Sequence, residues 1–451
     1  VSETPQWWLA KYNLNFFFGP PGNPQFSSPI GGGERNAFTS GETESSFQHP
    51  VAASGELRKL RIQLDTAVAS GKSWTFTLRK NGTNTALTCT VSAGQTLATG
   101  TGAVSVTAGD LLSVGIVPAG SPLPSSPGYV QHAIQFVPTT ADQMVYGGIF
   151  CGVAIPGAAG RPYTNPLLHS NSGNTFSMGD VTNNRSVSAV DGYIRAIYVH
   201  TTVAPGGGGS TSFQMRINGS NVGSAVTFSG GTTDASSTGL SIAVAKGDVL
   251  SLQFQDTSSP AQGLYSFTVV LESSTTRQYM WCGDCVNQGT FTEYRTITSN
   301  SGGASARDTV EANTQMPMPD TLTITGLAVA LATAPVAGTL GMRTRVNGAN
   351  GNLDVGAISG TAASDYAHSD ALSAGDLINL VATLPGGATT WSAHTWAVLL
   401  EAADPDATIT AEVMTATARM IDAVFMGGIV PFLTDLEGDY VLVDELEGDW
   451  A

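Results

Sequence analysis

Three stretches of this chain repeat one order of signals, and no other feature of the sequence limits its folding so strongly. The first signal is an apolar strand that gathers basic residues and ends in Asn-Gly: Phe76-Thr77-Leu78-Arg79-Lys80-Asn81-Gly82, Phe213-Gln214-Met215-Arg216-Ile217-Asn218-Gly219 and Met342-Arg343-Thr344-Arg345-Val346-Asn347-Gly348. The second is an alternating strand entered through Gly-Asp, at Gly109-Asp110, Gly247-Asp248 and Gly375-Asp376. Asn81, Asn218 and Asn347 stand 137 and 129 residues apart, and Gly109, Gly247 and Gly375 stand 138 and 128 apart. Two independent markers thus keep the same spacing inside each copy, as true repeats do and chance matches do not.

The remaining signals of each copy describe strands. An alternating run precedes each Asn-Gly strand, at Leu57 to Leu64, Ile194 to Val199 and Leu322 to Leu331. A run rich in β-branched and aromatic residues closes each copy, at Tyr129 to Val137, Leu264 to Leu271 and Trp391 to Leu400. An aromatic stretch opens each one: Phe16-Phe17-Phe18, then Tyr146 with Phe150, then Tyr279 with Trp281. Period-two alternation buries one face of a strand and wets the other. Asn-Gly is a favoured two-residue hairpin turn because both residues tolerate positive φ, and Asp after Gly reads as a turn acceptor for backbone N–H groups. About 130 residues with turn signals every 8–12 leave room for roughly eight strands and no convincing helix. The sequence therefore predicts an all-β chain of three tandem antiparallel β-sandwich domains, read as jelly rolls, with an immunoglobulin-like sandwich or an open barrel as alternatives. The expected boundaries are residues 1–140, 141–274 and 275–403, each domain with its own core, followed by a short tail at 404–451.

The tail breaks the pattern. Met420 to Gly428 resembles the opening strand of a fourth copy, or equally a helix, and two short repeats follow, Leu436-Glu437-Gly438-Asp439-Tyr440 and Leu446-Glu447-Gly448-Asp449-Trp450. A segment this short and acidic cannot bury its aromatics alone. Leu436, Tyr440, Leu446 and Trp450 are accordingly the candidate assembly residues, docking on another chain or on the protein's own body.

Composition removes several function classes. Nineteen Lys and Arg against 35 Asp and Glu give a net charge of −16, too few cations for holding phosphate backbones, so nucleic acid is not an expected partner. Charged residues are only 12% of the chain and Gly supplies 53 positions, without the three-residue period of collagen. No apolar run reaches the roughly 20 residues of a membrane span, and no membrane insertion is expected.

The chemistry-bearing residues do not assemble into a reactive set. Trp281-Cys282-Gly283-Asp284-Cys285 resembles the thioredoxin-type signature, but that chemistry needs a helix N-terminus to lower the thiol pKa, and here the motif sits in a strand. Cys282 and Cys285 read as free thiols or a local disulfide. Cys89 and Cys151 fall in other copies, too scattered to complete a zinc site. The six histidines (His49, His132, His169, His200, His368, His394) show no metal-binding spacing; His132 and His394 sit at related places in closing strands and are expected to face solvent. Asp110, Asp248 and Asp376 recur with a turn, and Arg79, Arg216 and Arg345 with a solvated or interdomain face, with sugar or carboxylate binding as the alternative for the arginines. Gly206 to Gly209 is a loop tip, and Asn81 and Asn218, although followed by x-Ser/Thr, are turn residues first. No catalytic residue, cofactor or metal site is expected, with a pair of carboxylates brought together in space as the one enzymatic alternative.

The pattern Leu-Arg-Lys-Asn-Gly followed by Val-x-Val-x-Ala-Gly-Asp-Leu-Leu-Ser-Val resembles tumour-necrosis-factor-like jelly-roll modules of tailed-bacteriophage structural proteins, across most of residues 10–402. The Leu-Glu-Gly-Asp repeats are similar to terminal repeats of phage fibre proteins. The resemblance implies a non-enzymatic virion protein on the exterior of a phage particle, a capsid decoration or a fibre-like appendage. Its partners would be other capsid or tail proteins and further copies of itself, as a trimer or, with three modules in one chain, a pseudo-trimer. A receptor- or glycan-binding tail protein, contacting a host-surface glycan, and a bacterial adhesin or surface-layer component are the alternative readings.

Overall fold

In the first copy, Gln6–Asn13, Tyr129–Pro138, Gly55–Leu64 and Leu97–Val106 lie side by side in one antiparallel sheet. The facing sheet runs Gln25–Ser27, Leu111–Ala119, Ser73–Lys80 and Thr83–Ser92, with His49–Pro50 pairing the start of Leu111–Ala119. Numbered by position within the copy, the strands stand in the orders 1-8-3-6 and 2-7-4-5, the two-sheet arrangement of an eight-stranded jelly roll. The coordinates are a computed structural model, which describes residues 5–13, 25–30, 43–120, 129–150, 163–164, 166–167, 185–205, 209–256, 265–285, 292–298, 307–335, 340–383 and 394–402.

The other copies keep that order. The second sets Gln143–Phe150, Tyr265–Ser273, Gly192–Thr201 and Asp234–Ser237 against a sheet containing Tyr163–Thr164, Val249–Asp256 and Ser210–Ile217. The third sets Gln278–Cys285, His394–Ala402, Leu322–Leu331 and Ala362–Asp365 against Glu293–Arg295, Leu377–Thr383, Gly341–Val346 and Ala349–Asp354. Even the irregularities recur: the third strand bulges between Leu57 and Lys59, Ile194 and Ala196, and Ile324 and Gly326. A bulge conserved in register across copies is a designed bend rather than a defect. The fold is all-β, three tandem antiparallel jelly rolls.

Alternation makes each sandwich. In Gly55–Leu64, Leu57, Leu60, Ile62 and Leu64 are buried and the residues between them are half-buried. Trp74, Phe76 and Leu78 do the same on the facing sheet. Each such side chain contributes roughly 1.5–3 kcal/mol on burial. The cores are not three separate ones, however. One cluster fills copy one and takes in Val145, Ala196 and Val270 of the second, and another runs continuously through copies two and three and takes in Trp7, Leu9 and Ala133 of the first. Residues 1–402 accordingly form one compact unit and residues 403–451 a second; the second unit, with Leu436, Tyr440, Leu446 and Trp450, lies outside the described residues.

Candidate functional site

The first strand of each copy is the edge of its sheet, so one row of its backbone groups has no ladder partner. Exposed edges of this kind recruit other strands unless something covers them. Here each edge is covered by a side chain from a different copy. Gln6 donates from Nε2 to Val145 O at 3.0 Å and accepts from Val145 N at 2.9 Å. The Tyr146 hydroxyl donates to Met280 O at 3.0 Å and accepts from Met280 N at 3.1 Å. Trp281 Nε1 donates to Trp7 O at 3.0 Å. Copy one thus reaches copy two, copy two reaches copy three, and copy three returns to copy one.

Register makes the relation close to a threefold one. Trp8, Tyr146 and Trp281 pair with Ile134, Val269 and Val398, the same position of the eighth strand. Trp7, Val145 and Met280, one residue earlier, are the backbone groups that receive the bonds. Tyr146 and Trp281 bond from the equivalent position, whereas in copy one the task falls to Gln6 while Trp8 stacks on Phe136 with ring centroids 4.7 Å apart. The contacts join unlike surfaces head to tail, and such contacts close into a ring when the rotation allows it.

A second ring of contacts runs beside the first. The short strands His49–Pro50, Ser186–Val187 and Met316–Pro317 each pair with the seventh strand of their own copy. Each is also contacted from the 1-8-3-6 sheet of a neighbour. Thr268 Oγ1 donates to Pro50 O at 2.7 Å and Cys282 Sγ approaches Val187 O at 4.0 Å. Copy one completes the set, with Gln131 Nε2 donating to Gln315 O at 3.1 Å and Arg61 to Pro319 O at 3.2 Å. Lys59 adds an exposed ion pair to Asp320 at 3.5 Å, worth little by itself.

Where the first strands converge, the space left is a cavity of about 40 Å³ lined by Trp8, Tyr146 and Trp281 and by the equivalent Ile30, Leu167 and Thr298. Small-molecule sites usually offer roughly 300–1,000 Å³. The convergence is a seam between modules, not a substrate cleft. Tyr146 and Cys282 on this seam are both pushed up in pKa, chiefly by burial, so the hydroxyl and thiol stay protonated and act as donors.

The two sequence markers meet in space. Asn81 Nδ2 donates to Asp110 Oδ1 at 2.8 Å, Asn218 Nδ2 to Asp248 Oδ1 at 2.7 Å, and Asn347 Nδ2 to Asp376 Oδ1 at 2.8 Å. Each Asn oxygen accepts the backbone N–H after its Asp, from Leu111, Val249 and Leu377. The second carboxylate oxygen accepts from Thr107, Ala245 and Ser373 N, each at 2.8 Å. The Asn residues have φ near +50° and the following glycines near +78°, the left-handed conformations that Asn-Gly supplies most cheaply. Hydrogen bonding from Asn347 and Ser373 N holds the Asp376 carboxyl below its ordinary pKa. At Asp110 burial works upward, but the bonds from Thr107 N and Asn81 and the charge of Lys80 outweigh it. These aspartates are turn residues, as their Gly-Asp setting predicts, and each turn is tied to the Asn-Gly hairpin of its own copy.

Several expectations need correction. Arg79 and Arg345 do not face solvent or a neighbouring module: each makes two bonds to one carboxylate, Glu44 and Glu311, at 2.8–2.9 Å, and a third to its own hairpin, at Gly82 O and Gly348 O. Arg216 holds Gly219 O and Asn221 in the same manner. His132 and His394 are buried rather than solvent-facing, because the eighth strand runs mid-sheet between the first and third strands and both side chains point into the sandwich. Trp8, not Phe16-Phe17-Phe18, is the first copy's counterpart of Tyr146 and Trp281; Phe16 to Phe18 lie outside the described residues, as do Cys151, His169 and Gly206 to Gly208. Cys282 is a free thiol on an extended strand that continues to Cys285. Residues three apart on a strand are about 10 Å apart, beyond disulfide reach, so a bridge between Cys282 and Cys285 is excluded. Among the described residues no group of three or more His, Cys, Asp or Glu gathers as a metal site, and no helix is long and apolar enough to cross a membrane.

No family model matches this sequence, and no curated protein matches it. Among solved structures, one described as the triple jelly roll fold and turret assembly in an archaeal virus aligns at 8% identity over 89% of this chain and 90% of that one, with a TM-score of 0.19. The atomic structure of Sulfolobus turreted icosahedral virus supplies another, at 11% identity over 77% and 79% of the two chains, with a TM-score of 0.14. Dimeric latent PorU from Porphyromonas gingivalis aligns at 10% identity over 77% of this chain and 32% of its own, with a TM-score of 0.18. At such scores no superposition stands behind the alignments, and the fold rests on strand order and register.

Proposed function

We propose that this chain is a non-enzymatic structural protein of a virus particle, an exterior decoration or fibre-like appendage of a tailed phage, built as a pseudo-trimer from three jelly-roll modules that divide near residues 140 and 274. The observation that carries this reading is the cycle of contacts from Gln6 to Val145, Tyr146 to Met280 and Trp281 to Trp7. The resemblance to tumour-necrosis-factor-like modules implies trimers, and three modules linked head to tail in one chain make that number without a second copy. A single rigid block with three related outer ends engages a repetitive surface by multivalent contact rather than by one deep site. The tail, through Leu436, Tyr440, Leu446 and Trp450, attaches the block to another particle protein.

The test is direct. The full chain is expected to have the mass of one copy by light scattering and a three-lobed outline in negative stain, and antibody against it is expected to decorate the outside of native particles. Recovery only in cell fractions free of particles would overturn the virion assignment. A mass of three chains with no contact between modules of one chain would overturn the pseudo-trimer. Substituting Leu436, Tyr440, Leu446 and Trp450 by alanine together is expected to abolish attachment to particles while leaving the light-scattering mass unchanged.

A further inference from the structure

An Asn followed by Gly is chemically fragile. The backbone nitrogen of the glycine attacks the Asn side-chain carbon Cγ, ammonia leaves, and the resulting succinimide ring is opened by water to Asp or isoaspartate. Glycine favours the step because no side chain hinders the attack. The attack also requires the Asn carboxamide to swing onto the following nitrogen.

The three Asn-Gly hairpin turns, at Asn81, Asn218 and Asn347, deny that movement in one way, whereas the fourth Asn-Gly pair, Asn350-Gly351, lies within the strand Ala349–Asp354. The Asn81 carboxamide is held at both ends, its nitrogen by Asp110 at 2.8 Å and its oxygen by Leu111 N at 2.8 Å, and its backbone N–H bonds Leu111 O at 2.7 Å. Asn218 is held by Asp248 and Val249, and Asn347 by Asp376 and Leu377, at 2.7–2.9 Å. The carboxamide therefore faces the seventh strand, across the sheet from its own glycine.

We propose that Asn81, Asn218 and Asn347 are latent deamidation sites that Asp110, Asp248 and Asp376 keep shut. The product explains the consequence. Replacing the Asn81 amide nitrogen by oxygen removes the donor and sets a carboxylate where the Asp110 carboxylate accepts its bond. Two like charges at hydrogen-bond distance repel, so a copy that deamidates loses the tie between its two turns for good.

The experiment follows amide loss at Asn81 and Asn218 by peptide mapping and mass spectrometry, in the full-length folded chain held at mildly alkaline pH. Asp110→Ala and Asp248→Ala are compared with wild type, and with the same peptides cut free. A bond to a charged partner is worth about 1.5–3 kcal/mol, so the free peptides are expected to react at least about tenfold faster than the folded chain. Asp110→Ala is expected to speed Asn81 and leave Asn218 at its wild-type rate, and Asp248→Ala the reverse. If both sites speed up together in one variant, that chain has unfolded, and Asp110→Leu, close to the aspartate in shape but without an acceptor, is read by the same criterion. Equal rates in the folded chain and the free peptide would overturn the proposal. So would a folded Asp110 variant whose Asn81 reacts no faster than wild type.

Discussion

Trp281 Nε1 donates to Trp7 O at 3.0 Å across 274 residues of sequence, and with the bonds of Gln131 and Arg61 to Gln315 O and Pro319 O it ties the last copy to the first. The Trp281 bond is the one that covers the edge strand of the first copy. Trp281→Phe keeps the apolar body and deletes the donor, leaving a buried carbonyl unpaired at a cost of roughly 1–3 kcal/mol. Tyr146→Phe is expected to cost more, because its hydroxyl serves both Met280 N and Met280 O. Urea melts of the two variants check the order; a Tyr146→Phe chain as stable as wild type would sink it.

Gly283 leaves no room for a side chain. A Cβ there would fall inside the indole of Trp396, which is itself fixed by a bond from Nε1 to Ile297 O at 3.1 Å. Gly283→Ala is expected to destabilise by several kcal/mol, of the order of an overpacked core or more. Loss of soluble expression or a large fall in melting temperature is the predicted result, and an unchanged melt is the outcome that excludes it.

His132 makes the protein acid-sensitive. Burial lowers its pKa from 6.5 to about 4, with the contact from Pro29 O opposing weakly. The neutral ring is the folded form, and the unfolded chain binds the proton first, so stability is full above pH 6.5 and falls as the pH drops toward 4. The loss from this residue reaches roughly 3 kcal/mol. Phe267 occupies the equivalent position in copy two, so His132→Phe is expected to fold and to flatten the acid limb of the stability curve. A variant with the same acid limb as wild type would show that other groups govern it.

Cys282 is expected to stay reduced and slow. Its burial against Val187 pushes the thiol pKa up, and the thiolate is the reactive form. Reducing agent should leave the melting temperature unmoved, and a thiol reagent should label Cys282 only as fast as the chain unfolds. Rapid labelling of Cys282 in the native protein would contradict this placement.

The fold was legible because its signals are local. Asn81-Gly82 and Gly109-Asp110 announce turns in any β context, and the alternation of Leu57 to Leu64 fixes which face is buried. The seam was not legible, for a physical reason. Gln6, Tyr146 and Trp281 bond to backbone atoms, which every residue carries, so no complementary residue type marks the other side. Trp8 shows the same limit, since only register identifies it with Tyr146 and Trp281, while the aromatic run at Phe16 begins eight residues too far along. The Asn–Asp tie lay within reach: Asn81 to Asp110, Asn218 to Asp248 and Asn347 to Asp376 are separated by 29, 30 and 29 residues, a constancy that signals pairing. The buried histidines were misread because they occupy the inward-pointing positions of the eighth strand, where an apolar residue is the ordinary choice.

The head-to-tail seam also sets how this molecule can diverge. In an assembly of three identical chains, any substitution arrives in triplicate and must suit every position at once. Here Gln6, Tyr146 and Trp281 already solve one geometric problem with three chemistries, so each module can change its sequence while the other two hold the body together.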